Sequence, residues 1–204
     1  MPALTWFSAS PLLFAPGEKT SYSSYAYVLL SAVIERAGGE LFDRQMQSRI
    51  AKPLKLESLQ LDVTANGQPH WATGYVKRAD DSVVPAAEEA HFWKYGAGGY
   101  KSNVRDFARW AQALINHELV KQPAEQQMWM AQKLASGEPG EYGLGFVVEQ
   151  QNGLKVSHNG AQKEVRTRMV LYPQAKSGVV VMSNCDFADA GKLSTAVFSA
   201  LDAR

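Results

Sequence analysis

Four apolar residues follow one another at Val179-Val180-Val181-Met182, where a half-buried strand would alternate apolar with polar. A strand of this composition is buried on both faces and belongs inside a sheet, not at its rim. It therefore needs a neighbour on each side. The chain offers one obvious candidate, Val165 to Tyr172, across a turn that ends at Gly178. The sequence is short of strands, and that shortage bears on every reading of the fold.

Strand periodicity begins only after Gly137. Tyr142 to Glu149 and Leu154 to His158 are expected as strands around Gln150-Gln151-Asn152-Gly153, whose Asn-Gly pair suits a hairpin turn. Leu193, Val197, Ala200 and Leu201 follow with the spacing of a closing amphipathic helix. Before Gly137 the pattern is mainly helical. Ser23 and Ser24 are good N-caps for Tyr25 to Ala37, which is apolar nearly all round and is expected to be interior. Gly38-Gly39 stops it. A second helix is expected over about Glu40 to Ala51, ended by Pro53, with Phe42, Met46 and Ile50 on one stripe. Small strands are expected at Thr73 to Lys77 and Ser82 to Val84, and Gly96 to Gly99 reads as a flexible connection. Ser102 or Asn103 caps the strongest amphipathic helix, in which Phe107, Trp110, Ala111, Leu114 and Ile115 share a face. A shorter helix is expected over Ala124 to Leu134. Helices first, then an antiparallel sheet covered by a C-terminal helix, define an α+β chain. Residues 1–204 read as one partial domain, mainly helical over about 16–136 and strand-rich over 137–204.

Composition removes whole classes of function. Of 204 residues, 46% are hydrophobic and 20% charged, which supplies a core and argues against disorder. Lys and Arg number 21 against 20 Asp and Glu, so no basic surface invites nucleic acid. Cys185 is the single cysteine, which excludes an intramolecular disulfide and Cys-rich metal frameworks. No apolar run reaches the roughly 20 residues of a membrane-spanning helix, and Met1 to Trp6 lacks the features of a secretory signal. The histidines His70, His91, His117 and His158 are scattered. His117-Glu118 begins like a zinc helix motif, but position 121 is Lys. No metal and no cofactor is expected. Gly96 to Ser102 is not a phosphate loop either, because Tyr100 breaks the Gly-Lys adjacency.

Three fragments carry chemistry when taken together. Tyr22-Ser23-Ser24 stands at the mouth of the apolar helix, where a phenol and two hydroxyls can be held rigidly. Gly98 to Ser102 opens the amphipathic helix. His158-Asn159-Gly160 is expected at the end of a strand, where Gly lets a backbone approach a ligand. Alone, each has a plain structural explanation: packing at a helix start, a turn, a surface histidine.

In their order, these fragments resemble the serine β-lactamase and penicillin-binding-protein-like family, in its class C and esterase branch and closest to LACTB-like serine hydrolases. Pro16-Gly17 followed by Tyr22-Ser23-Ser24 and an apolar helix is similar to the family's Pro-Gly and Tyr-x-Asn segment. Gly98 to Ser102 is similar to its GG-x-x-S segment, Tyr142-Gly143-Leu144-Gly145-Phe146 to its Tyr-Gly-x-Gly-aromatic strand, and Ser157 to Ala161 to its Lys/His-x-Gly strand. Tyr172-Pro173 and Ser183-Asn184 resemble its Pro-then-Asn ending. The resemblance runs from Pro16 to the C-terminus and implies a β-lactamase/transpeptidase-like fold.

The resemblance also implies acyl-serine hydrolysis of an ester, amide or lactam. Serine is a weak nucleophile unaided. Tyr22, held beside a lysine ammonium, would take the hydroxyl proton and return it. The N–H of Ala161, after Gly160, would donate to the developing oxyanion. Ser24 and Asn159 would contact substrate, and His158 would orient or attract a substrate carboxylate. Two departures stand out. No serine in the chain has Lys three residues on, so the nucleophile is expected to precede residue 1 and the fragment to be inactive alone. Ser24 replaces the family's Asn, and a hydroxyl lacks an amide's two donors. The partners expected are a small acyl substrate and an N-terminal half, or a partner chain, whose strands complete the sheet. Family members are often exported or periplasmic. The rival classes are a non-catalytic binding remnant and, more weakly, a hydrolase using Ser23 or Ser157.

Overall fold

The computed structural model describes residues 2–63, 71–87, 92–150 and 153–202. In chain order, a 3-10 turn (Pro2–Trp6) precedes α1 (Ser24–Gly38), α2 (Phe42–Met46), a π turn (Gln47–Ala51) and α3 (Lys52–Leu54). Strands β1 (Gln60–Leu61), β2 (Tyr75–Lys77) and β3 (Val83–Pro85) are short. A 3-10 turn (Phe92–Lys94), α4 (Tyr95–Gly98), β4 (Tyr100–Lys101), α5 (Val104–Ile115) and α6 (Gln122–Met128) follow. The chain then runs through β5 (Val147–Glu149), β6 (Lys155–Gln162), β7 (Val165–Tyr172), β8 (Ser177–Ser183) and α7 (Ala190–Asp202). These elements form two compact units, each assembled from separate stretches: Met1–Ala65, Glu89–Asp106 and Lys133–Gly140 in one, Asn66–Glu88, Phe107–Gln132 and Glu141–Arg204 in the other. Expectations for His70, His91 and Asn152 fall outside the described residues.

In the first unit, α1 begins where expected. Ser23 is extended, its hydroxyl accepting the Ala26 N–H, and Gly39 closes the helix in the left-handed conformation with its N–H on the Glu35 carbonyl. The helix is not interior all round, however. Val28 and Ser31 are buried, whereas Tyr25, Leu29 and Val33 form an exposed stripe at i, i+4 and i+8. Phe7 and Trp93 lie against the Tyr25 ring at 5.0 and 5.5 Å, so the open part of the stripe is Leu29 and Val33. Gly96 to Gly99 is not a flexible connection either. Gly96 to Gly98 belong to α4, which packs on α1 so closely that a Cβ on Gly96 would lie 2.2 Å from Ser31 Oγ. The second helix continues past Pro53, which is tolerated in the last short turn because the preceding π turn widens the backbone ahead of its ring. Lys55, at φ 58°, ends it.

In the second unit, β5-β6-β7-β8 form an antiparallel sheet in that order. The β7–β8 hairpin agrees with its sequence pattern. Three departures are local. Tyr142 to Phe146 is a tight turn before a short β5, because Leu144 donates to the Met128 carbonyl and Gly143 to that of Phe146. α6 stops at Met128. Residues His158 to Gly160 lie within an eight-residue β6, not at its end. The fourth departure concerns Val179 to Met182: β8 pairs with β7 alone and is the outer strand among the described residues.

One sheet face carries Val156, Met169 and Leu171 against Ala111, Leu114 and Ile115 of α5, with Trp129 and Phe146 completing the core. The opposite face lies under α7, where Tyr172 meets Phe198 edge to face at 4.9 Å. α6 is fixed by Glu125, which is 1% exposed, with Oε2 2.5 Å from His117 Nδ1. Burial pushes this carboxyl up, and the imidazole opposes the shift. In a urea titration, Leu171→Ala should cost about 2–5 kcal/mol. Met130→Ala, at an exposed position, should stay within about 0.5 kcal/mol. Equal losses would show that the core is not where these contacts put it.

Candidate functional site

Tyr22 directly precedes the Ser23 cap of α1 and is 59% exposed. Ser24 is the first residue of the helix and half-buried. The first turn of α1 stands in a run of aromatic rings. Phe7 and Tyr25 lie 5.0 Å apart, Tyr25 and Trp93 5.5 Å, and Trp93 and Trp6 6.1 Å. The cap and this packing fix the backbone from which the Tyr22 phenol projects.

In the other unit, the direction of the β6 backbone follows from one hydrogen bond. Val148 donates to Glu141, so its N–H points away from β6, and Val147 and Glu149 must face it. In an antiparallel ladder the hydrogen-bonding direction alternates residue by residue. Ser157, opposite Val147, therefore faces β5, and Val156, His158 and Gly160 face β7. Asn159 and Ala161 face the β5 side again, but β5 reaches no further than Ser157. The Ala161 N–H thus points to an open edge, where it can donate to a ligand.

Side-chain alternation separates the sequence-predicted residues. His158 and Gly160 share the α5 face with Thr167 and Met169, whereas Asn159 and Ala161 share the α7 face with Arg168 and Arg166, their register partners. Gly160 is required by packing, since a Cβ there would lie 2.2 Å from Thr167 Oγ1. Burial holds His158 below its ordinary pKa of 6.5, with a hydrogen bond to the Asn159 backbone acting the other way. Its neutral form, which can orient a substrate by hydrogen bonding, is thereby favoured. Asn159 is held by Arg168, whose Nη1 donates to Oδ1 at 2.6 Å. An open groove of about 560 Å³ runs between residues 159–161 and 166–168 of the sheet and the segment that leads into α7. The arginines escaped the sequence reading. Their signal was there, as two cations at i and i+2 of one strand, but it needed the β6–β7 register to place them beside Asn159 and Ala161.

The two-sided sheet, with an amphipathic helix on one face and a C-terminal helix on the other, is a β-lactamase/transpeptidase-like arrangement. Residues 2–202 match the family model described as Beta-lactamase, and the chain belongs to that family. It is 27% identical over 184 residues to penicillin-binding protein 4* of Bacillus subtilis, covering 84% of this chain and 41% of that protein. A penicillin-binding protein from Bacillus halodurans superposes with a TM-score of 0.81 at 22% identity, over 98% of this chain and 61% of that one. The octameric penicillin-binding protein homologue from Pyrococcus abyssi gives 0.79 at 22%, over 94% and 44%. The chain thus spans less than half the length of the B. subtilis relative.

Two measurements test the geometry. Gly160→Ala should destabilise the sheet by about 1–3 kcal/mol through overpacking, and a second change, Thr167→Ala, should recover most of the loss. The ring protons of His158 should titrate below 6.5. Because the folded value is the lower one, this group's share of stability is complete above 6.5 and is lost as pH falls toward the folded value. A His158 titration above 6.5 would contradict the burial assigned to it.

Proposed function

We propose that the chain supplies the proton-transfer and oxyanion-binding part of a serine acyl hydrolase, acting on an ester, amide or lactam. In this reading the Ser-x-x-Lys nucleophile comes from polypeptide outside these 204 residues. The outward N–H of Ala161, left open where β5 stops, carries the proposal. Such a donor stabilises a tetrahedral oxyanion by roughly 2.7–4 kcal/mol when correctly placed. Tyr22 is the base and then the acid, Gly160 lets Thr167 close over the strand, and Ser24 and Asn159 border the substrate. His158, whose burial favours the neutral form, serves as a hydrogen-bonding and packing group. The relatives named penicillin-binding proteins support acyl transfer as the reaction class.

The same reading includes a partner for β8. By the alternation that places Ala161, the backbones of Gly178, Val180 and Met182 face away from β7, and Asn184 beyond them accepts the Tyr75 N–H. A strand from the segment that brings the nucleophile, or from a partner chain, completes the sheet there.

Alone, the chain should neither hydrolyse nitrocefin or p-nitrophenyl acetate above a denatured control nor be labelled by a fluorophosphonate. Co-expression with an upstream segment that contains Ser-x-x-Lys should restore both and reduce self-association and hydrophobic-dye binding. In that assembly Tyr22→Phe should lower kcat by about 10²–10⁴-fold, with little change in KM. Stoichiometric labelling of the chain alone would sink the proposal in favour of a nucleophile within it. An assembly that labels but keeps full activity with Tyr22→Phe would remove Tyr22 from proton transfer.

A further inference from the structure

We propose that His117 and Glu125 form a pH-sensitive clasp on α6, closed while the imidazole carries its second proton and released when that proton is lost. The clasp lies outside the hydrolase reading. It stands on contacts within the second unit and is independent of that reading.

His117 occupies a position that its own backbone disfavours. Its N–H bonds to the Leu114 carbonyl and that of Glu118 to the Ala113 carbonyl, the two bonds of a Schellman stop after α5. Such a stop closes on a left-handed residue, most often glycine, and here His117 fills it at φ 58°. The cost is offset by what the side chain touches. Its Nδ1 stands 2.5 Å from Glu125 Oε2, with the imidazole side chain 41% exposed and the carboxylate side chain 2%. One partner thus exchanges protons freely with water and the other does not. Glu125 Oε1 is buried with no hydrogen-bond partner among the described residues, so the carboxylate depends on the imidazole.

Other charges in this region are already matched. Arg109 on α5 holds Glu118 through both carboxylate oxygens, at 3.0 and 2.5 Å. Lys121, Glu141 and Tyr142, on the segments beside α6, exert no charge effect on Glu125, and His117 does. Burial favours the protonated carboxyl above its ordinary 4.5, and the imidazole opposes that shift. Because the folded value is the higher one, the carboxyl's share of stability is complete below 4.5 and is lost as pH rises through the folded value. A charged imidazole limits this loss. Once it is neutral, the buried carboxylate lacks a counter-charge, a costly state that opening to water relieves.

What the clasp holds is the turn that leads into β5. Met128 ends α6, and its carbonyl accepts the Leu144 N–H at 2.8 Å, while Gln132 donates to Tyr142, also at 2.8 Å. Trp129, one turn on from Glu125, meets Phe146 edge to face at 6.4 Å. A Cβ on Gly143 would lie 2.1 Å from the Met128 carbonyl oxygen. The end of α6 and the Tyr142–Phe146 turn therefore move together.

The test is hydrogen exchange of the chain at pH 5, 7 and 8.5, read by mass spectrometry as protection factors. Segments 121–130 and 141–147 should lose protection about tenfold between pH 5 and 8.5, and segment 165–172, within the β6–β7 ladder, should not. Glu125→Gln should abolish that pH dependence and keep protection high. His117→Gly should lower protection of both segments about tenfold at pH 7, although glycine suits the left-handed position better. A purely structural role for residue 117 predicts equal or higher protection in that variant. His117→Gly decides alone where Glu125→Gln does not fold. Flat protection in the parent, an unchanged pH dependence in Glu125→Gln, or undiminished protection in His117→Gly would each overturn the clasp. Loss of protection in all three segments together would mean global unfolding and would overturn it too. No catalysis enters this assay, so an inactive assembly would refute the hydrolase reading and leave the clasp standing.

Discussion

The β6–β7 ladder decides what every candidate residue in its unit can do. Seven successive pairs, Val156 with Leu171 through Gln162 with Val165, run without a bulge. Over such a stretch, side-chain face and hydrogen-bond direction are both fixed by parity. A shift of one residue would either turn Ala161's N–H into the sheet and Val156 out of the core, or bury Arg168 in the apolar core and bring Met169 out from it. Register is held by the core itself, because Val156, Met169 and Leu171 must stay together against α5. The contact between Gly160 and Thr167 adds a lock, since only a residue without a Cβ fits opposite that hydroxyl. Hydrophobic packing on one face thus sets the polar geometry of the other.

This separation of faces explains a division of labour that residue types alone conceal. His158 shares the core-facing side, where desolvation disfavours its charged form. One position along, the partners of Asn159 and Ala161 are arginines, which retain their charge at any physiological pH. The permanent cations of β7, Arg166 and Arg168, therefore stand on the α7 side of the sheet, on the opposite face from the histidine.

What could be read in advance was what local chemistry determines. The Ser23 cap, the Gly39 stop, the apolar stripe of α5 and the β7–β8 hairpin each depend on residues within a few positions of one another. Misreadings arose where distant partners intervene. Gly96 to Gly99 looked like a loose linker because its need for glycine comes from Ser31, far back in the chain. Tyr142 to Phe146 looked like a strand because Met128, which ties it into a turn, lies outside any short window. The weak strand propensity of Asn159 and Gly160 predicts a strand end at His158 to Gly160, a preference overridden by seven ladder pairs. Tyr22 and Ala161 could be nominated from motif order, whereas Arg166 and Arg168 required the register.

The exposed stripe of α1 and the open rim of β8 have a common physical meaning. Leu29 and Val33 are large apolar side chains facing water on a helix whose buried residues are Val28 and Ser31. β8 presents outward backbone groups at Gly178, Val180 and Met182, flanked by apolar side chains on both sheet faces. An exposed edge that must stay unpaired is normally protected by charge, proline or a bulge. Gly178 to Met182 has none of these. A strand that docks there lies between α5-side neighbours Val180 and Met182 and α7-side neighbours Val179 and Val181. To match both, its own side chains must be apolar in both directions. A polar-alternating strand would bury hydrogen-bonding groups without partners on one face, at about 1–3 kcal/mol for each group left unsatisfied. Any strand docking on this edge would thus be selected by its composition as well as by its backbone.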